Sequence, residues 1–248
     1  MAVAATSHDA ASATARRALA WAHSARFLCT AGRLDQLPPP DLPEFAFVGR
    51  SNAGKSTAIN AIAHQRRLAF ASRTPGRTQH VNLFDVGPAE APDTRWADLP
   101  GYGYAAVARE AKLRWQKVMA DYLAYRRAID GIVMLVDVRH SFTPLDLQLL
   151  RFIAPRVSIG EVRLLVLLTK ADKLSRAEAG RALAQAQRTL AAADRLVTDN
   201  ADVGITLFSA LSGQGIADAA VALRGWRDAV DAPRSAVGPA DAVGAGTA

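Results

Sequence analysis

Eight consecutive residues constrain this chain more than any others. Gly49-Arg50-Ser51-Asn52-Ala53-Gly54-Lys55-Ser56 follow the apolar run EFAFVG and open the helix-forming run STAINAIAHQ. A strand, a glycine-bearing loop and a helix in that order let backbone N–H groups curl around a phosphate, and the helix dipole adds to the attraction. On this reading Gly49 to Thr57 form a nucleotide cradle. Lys55 neutralises the outer phosphate oxygens, and the Ser56 hydroxyl is a ligand for Mg²⁺, an ion that prefers oxygen donors. A chance glycine loop is the plain alternative, and the strand and helix flanking the loop weigh against it.

From Glu44 onward, short apolar runs alternate with segments of helical period, the pattern of a sheet covered by helices. The periodicity predicts strands at about 44–49, 80–86, 94–98, 131–137, 162–168 and 204–208, and helices at about 55–66, 107–128, 144–155, 175–193 and 214–230. Runs near 131 and 162 are apolar throughout, as expected of central parallel strands. The segments 80–86 and 94–98, joined by a loop with Gly and Pro, read as a hairpin. The expected fold is a three-layer αβα sandwich of the P-loop NTPase type, with a mostly parallel six-stranded sheet and one antiparallel edge strand. Ligands of such folds sit where strands end and helices begin.

A second motif, Thr169-Lys170-Ala171-Asp172, closes the apolar run VRLLVLL. Guanine offers two adjacent donors that one carboxylate at Asp172 can accept together, whereas adenine has no such pair. Lys170 can lay its aliphatic stem over the base. Two further pieces complete a hydrolytic site. Asp98-Leu99-Pro100-Gly101 ends the run TRWAD, so that Asp98 can hold Mg²⁺ through water and the Gly101 N–H can meet a γ-phosphate oxygen. Upstream, Thr78 in the polar stretch Arg73-Thr74-Pro75-Gly76-Arg77-Thr78-Gln79-His80 can give the metal a second hydroxyl. Phe208-Ser209-Ala210, at the end of the last strand, can bring backbone N–H groups to guanine O6. The residues expected to act in catalysis are Lys55, Thr78 and Gly101. Taken singly, each later segment has an ordinary loop or strand-end explanation; their order along the chain is what argues for one site.

Composition bounds the rest. The 248 residues are half hydrophobic, which suffices for one core. The domain is expected over residues 23–231, between disordered extensions at 1–22 and 232–248. The first of these, arginine-bearing and poor in acids, also fits an organelle transit peptide, although Asp9 argues against that. The net charge of +7 and pI near 10.1 suit a polyanionic partner and equally an arginine-rich proteome. Cys29 is the single cysteine, which excludes an intrachain disulfide. No run approaches the roughly 20 apolar residues a membrane span needs, and His8, His23, His64, His80 and His140 have no metal-ligand spacing.

Taken together, FAFVGRSNAGKST, TPGRTQHVNLF, ADLPGYGYA, RWQKVMADYLAYRRAIDGIVMLVDVRHSFTPLD, VLLTKADKLS and LFSALSGQGI resemble the EngB (YihA or YsxC) family of bacterial ribosome-assembly GTPases, within the TRAFAC class. The likeness runs from about Arg26 to Trp226. It implies GTP and GDP as ligands, Mg²⁺ as cofactor, a partner in the large ribosomal subunit and its rRNA, and a requirement for normal septation in cell division; the short apolar runs and the single cysteine point to a soluble chain in a reducing bacterial cytoplasm, and a monomer is expected. Tyr102 stands where Ras-type enzymes place a water-orienting glutamine, so intrinsic hydrolysis is expected to be slow; the phenol's plainer role is to pack the switch. Asn52 has two readings, help in holding K⁺ and a hydrogen bond that stabilises the loop. The basic residues Arg109, Lys112, Arg114, Lys117, Arg126 and Arg127 are either a solvated helix face or a nucleotide-dependent rRNA contact. Three functional readings stay open: a switch driven by hydrolysis, a guanine-nucleotide sensor whose turnover is incidental, and a kinase using the same loop, for which no lid-length segment is visible.

Overall fold

The computed structural model describes residues 2–70, 80–103, 109–193, 196 and 198–230. Helix α1 (Ala2–Ala22) leads to strand β1 (Arg26–Ala31), and a proline-rich stretch with one short 3-10 turn leads to β2 (Glu44–Gly49). Then follow α2 (Lys55–Ile62), β3 (Val81–Val86), β4 (Thr94–Asp98), α3 (Arg109–Tyr125), β5 (Ile129–Asp137), α4 (Pro144–Ser158), β6 (Arg163–Thr169), α5 (Arg176–Ala191), β7 (Val203–Leu207) and α6 (Ile216–Val230). The strands form one sheet in the order β1-β3-β4-β2-β5-β6-β7. Only β3 runs against the others, paired antiparallel with β1 and β4. The predicted α/β class and parallel centre hold. The sheet has seven strands where six were expected, because Arg26–Ala31 lies outside β3, and the reversed strand is therefore one position in from the edge.

Each central strand feeds two cores. On β5, Ile132, Met134 and Val136 turn to one face, where they meet Tyr122 and Leu123 of α3, Leu149, Leu150 and Ile153 of α4 and Leu190 of α5. Val133 and Leu135 turn to the other, with Ile59 and Ile62 of α2 and Leu223 and Trp226 of α6. That alternation is the period of two a strand imposes, and it explains why β5 is apolar along almost its whole length.

Helix α1 corrects the expectation of a disordered extension over residues 1–22. Alanine has the highest helix propensity of any residue, so an Ala-rich run that looks compositionally loose is also a good helix. Its last turns bury Ala18, Trp21 and Ala22 in the α2–α6 core. Trp21 donates through Nε1 to Asp93 Oδ1 at 2.9 Å, and Arg224 of α6 lies 5.6 Å from its ring centroid. The predicted C-terminal extension, 232–248, lies outside the described residues. No described helix is long and apolar enough to cross a membrane.

Helix α2 ends four residues before the predicted boundary. His64 takes a left-handed φ of 51°, which an α-helix cannot continue through. The Asn60 side chain then pairs with both backbone groups of Ala69, donating to its oxygen at 2.8 Å and accepting from its N–H at 2.7 Å.

Candidate functional site

The phosphate loop turns on two left-handed residues, Asn52 at φ 67° and Gly54 at φ 91°. Gly49 is required for a different reason: a Cβ there would lie 2.9 Å from the Leu135 carbonyl oxygen of the neighbouring strand. Lys55 starts α2 and forms an ion pair through Nζ with Asp98 Oδ1 at the end of β4. Their side chains are 8% and 1% exposed. The second oxygen, Asp98 Oδ2, is buried and has no hydrogen-bond partner among the described residues. A buried, unpaired anionic oxygen is costly unless a cation or water meets it. No group of three or more His, Cys, Asp or Glu residues is placed to hold a metal among the described residues. Mg²⁺ bound to a nucleotide needs no such group, since phosphates and water fill most of its shell. The donor set of the Asp98 carboxylate with the Ser56 hydroxyl therefore fits Mg²⁺.

The segment Thr169 to Asp172 is hydrogen-bonded to the phosphate loop. Thr169 Oγ1 donates to the Ala53 carbonyl at 2.6 Å, and Lys170 Nζ donates to the Asn52 carbonyl at 2.7 Å. Lys170 sits at φ 61° and its Nζ also meets Asp137 Oδ2 at 2.8 Å. Asp137 belongs to the VDVRH segment quoted above, but the sequence alone assigns it no role. Burial opposes its charge, but hydrogen bonds from Arg139 and then Lys170 override that and hold its carboxyl well below the usual range. Asp172 Oδ1 accepts from the Ser209 hydroxyl at 2.6 Å, and Lys173 lies 3.2 Å from Oδ2. The Ser209 hydrogen bond, followed by Lys173, lowers the Asp172 pKa. The carboxylate is held charged and oriented by these two neighbours.

At the strand end 208–210 the structure is more selective than the motif. The Phe208 N–H donates to the Leu168 carbonyl at 2.8 Å and the Ser209 N–H to the Gln214 carbonyl at 2.9 Å. Both amides are committed, which leaves Ala210 as the N–H of the three without an acceptor among the described residues. Ser209 contributes through its hydroxyl instead.

Leu99 and Pro100 are buried, and Gly101 lies against the loop: a Cβ on it would be 3.2 Å from both Ser51 N and Ser51 Oγ. Tyr102 is 5% exposed and donates from its hydroxyl to Asp146 Oδ1 at 2.8 Å. Burial first, and then Asp146, push this phenol far above its ordinary pKa, so it stays a donor. It packs the segment rather than facing the phosphates. His80 is exposed, with its ring against Gly32 just past β1, and none of its described contacts reaches the phosphate loop. Gly76, Arg77, Thr78 and Gln79 lie outside the described residues.

A phosphate cradle, a metal-suited aspartate and an oriented carboxylate, gathered at the carboxyl ends of a mostly parallel sheet, define a P-loop GTPase. A family model described as 50S ribosome-binding GTPase matches residues 44–170. The probable GTP-binding protein EngB of Acidovorax ebreus is 51% identical over 219 residues, which cover 88% of this chain and 95% of that one. Its counterpart in Albidiferax ferrireducens is 50% identical over 86% and 98% of the two chains. The chain belongs to the EngB family of GTP-binding proteins. Among solved structures, a probable GTP-binding protein engB superposes with a TM-score of 0.54 at 20% identity, over 75% of this chain and 98% of that one. Era, in complex with MgGDPNP and a segment of 16S ribosomal RNA, superposes with a TM-score of 0.58 at 19% identity, over 75% and 56%. At those identities the structures share the fold.

Proposed function

We propose that this GTPase is a slow, Mg²⁺-dependent switch that serves assembly of the large ribosomal subunit, and through it normal septation and division, as a cytoplasmic monomer. The observation that carries the chemistry is the buried Lys55–Asp98 pair, whose Asp98 Oδ2 has no partner among the described residues, on a loop that Thr169 and Lys170 also bond, with Asp172 oriented by Ser209 beside them. The loop amides of Asn52, Gly54, Lys55 and Ser56 grip the phosphates, the Ala53 N–H being held by the Arg50 carbonyl, and Lys55 leaves Asp98 to neutralise the β and γ oxygens. Ser56 and Asp98, with Thr78, would hold Mg²⁺, which when bound spreads the charge that develops on the transferring phosphoryl group. Asp172 accepts both donors of the guanine edge, and the Ala210 N–H is the amide proposed to reach O6. The Gly101 N–H meets the γ-phosphate and loses that partner on hydrolysis, which gives two states.

Slow turnover follows from Tyr102. The residue after the switch glycine is tied to Asp146, so no side chain at that position orients the attacking water. The description of the matching family and the net charge of +7 support a ribosomal partner. Competitive titration of GTP, GDP and ATP with and without Mg²⁺, followed by single-turnover hydrolysis with and without 50S particles, tests the proposal. Equal competition by ATP would end the guanine reading. GTP turnover unaltered by 50S particles, together with no nucleotide-dependent binding to them, would end the ribosomal one and leave a nucleotide sensor.

A further inference from the structure

The geometry points to Asp146 as a positioning residue that, acting through Tyr102, holds Gly101 against the phosphate loop in the place where a γ-phosphate finds it. The inference rests on the reading of Gly101 as the γ-phosphate contact. Asp146 belongs neither to the loop nor to the switch segment. It occupies the third position of α4, where it is 2% exposed and its Oδ2 accepts from the Thr143 N–H at 2.8 Å and the Thr143 hydroxyl at 2.6 Å. That capping arrangement fixes the carboxylate, and the helix N-terminus favours its charge. The remaining oxygen, Oδ1, takes the Tyr102 hydroxyl.

Tyr102 is in turn tied to the phosphate loop by its backbone. Its N–H donates to the Gly49 carbonyl at 3.2 Å, and its carbonyl accepts from the Ser51 N–H at 2.8 Å. The next residue, Gly103, turns at φ 79° with Leu145 and Arg50 against it, so the segment is bounded on both sides. Between these ties and that of the Leu99 N–H, which donates to the Phe47 carbonyl at 3.1 Å, lies Gly101, whose N–H has no acceptor among the described residues. A side chain one helix away thus sets the position of a backbone amide that the chemistry needs.

The consequence is specific to the triphosphate. A ligand that touches Gly101 binds in proportion to the fraction of molecules whose Gly101 is in place, whereas a diphosphate does not sense that fraction. General loosening of the fold would weaken both nucleotides alike.

The test measures affinities for GDP and a non-hydrolysable GTP analogue in the full chain and in Tyr102→Phe, Asp146→Ala, the double variant and Gly101→Ala. Tyr102→Phe removes one oxygen and keeps the ring. It is expected to weaken the analogue by about tenfold, as loss of a buried hydrogen bond to a charged partner does, with GDP binding unchanged. The double variant is expected to be no weaker than the weaker single, since both remove the same contact. A Tyr102→Phe chain that binds both nucleotides as the parent does, or loses both equally, overturns the role of Asp146. Should Asp146→Ala lose its α4 cap and fail to fold, Tyr102→Phe alone decides. If Gly101→Ala leaves analogue binding unchanged, it is instead the γ-phosphate assignment that fails.

Discussion

The Ser209 hydroxyl donates to Asp172 Oδ1 at 2.6 Å, so the carboxylate proposed to read guanine is held in place by the end of the next strand in the sheet. Removing the hydroxyl by Ser209→Ala frees the carboxylate to rotate, and GTP affinity is expected to fall by about fivefold, the worth of one net hydrogen bond. Asp172→Asn replaces an acceptor with a donor. It is expected to weaken GTP strongly and to improve binding of xanthosine triphosphate, whose C2 carbonyl wants that donor. Competitive titration of the two triphosphates checks both variants.

Lys55 and Asp98 neutralise each other in the absence of nucleotide. Lys55→Ala leaves the Asp98 carboxylate buried with neither oxygen paired to a cation among the described residues, and the nucleotide-free protein is expected to lose about 3 kcal/mol of stability. Urea unfolding of the nucleotide-free chain measures this. The same variant is expected to lose GTP and GDP binding together, since both nucleotides carry the β-phosphate that Lys55 is proposed to meet.

Asp137 sets a pH signature. Its folded-state pKa is depressed below the ordinary value of about 3.9. Its contribution to stability is therefore fully present above that value and drains away as pH falls toward the lower, folded-state one. Unfolding free energies at neutral pH and near pH 3 are expected to differ less in Asp137→Asn than in the parent chain. An equal acid loss in both would show that the Lys170 and Arg139 contacts carry no linkage.

Much of this site was legible in the chain itself, and the parts that were not share a cause. The phosphate loop, Lys55, Asp98 and Thr169 to Asp172 are local words: each needs its neighbours in sequence and a strand or helix beside it. Asp137 and Asp146 are not, because Lys170 lies 33 positions from the first and Tyr102 44 positions from the second. Only the fold gives them partners. Ser209 was found for its backbone, while the structure uses its hydroxyl, since Gln214 already occupies the N–H. In the frame of the fold, β1 was missed because Phe27 and Leu28, both more than a third exposed, break the alternation that marks a half-buried strand.

Gly131 gives a packing test. A Cβ there would run into the Trp226 ring, which also meets Phe45 edge to face. Gly131→Ala is expected to cost about 2 kcal/mol through overpacking. The cost should shrink when the alanine is introduced into a Trp226→Leu background, because the smaller side chain leaves room. A cycle of urea denaturation curves reads the coupling.

The outermost strand has a bearing on how the protein can be handled. β1 covers the hydrogen-bonding edge of β3 from Val81 to Asp85. A fragment trimmed to begin at the phosphate-loop strand would keep the nucleotide machinery but bare a row of amides and carbonyls, an invitation to pair with a second copy. Such a fragment is expected to form concentration-dependent oligomers in sedimentation experiments, so the stretch ahead of residue 44 acts as a guard against aggregation.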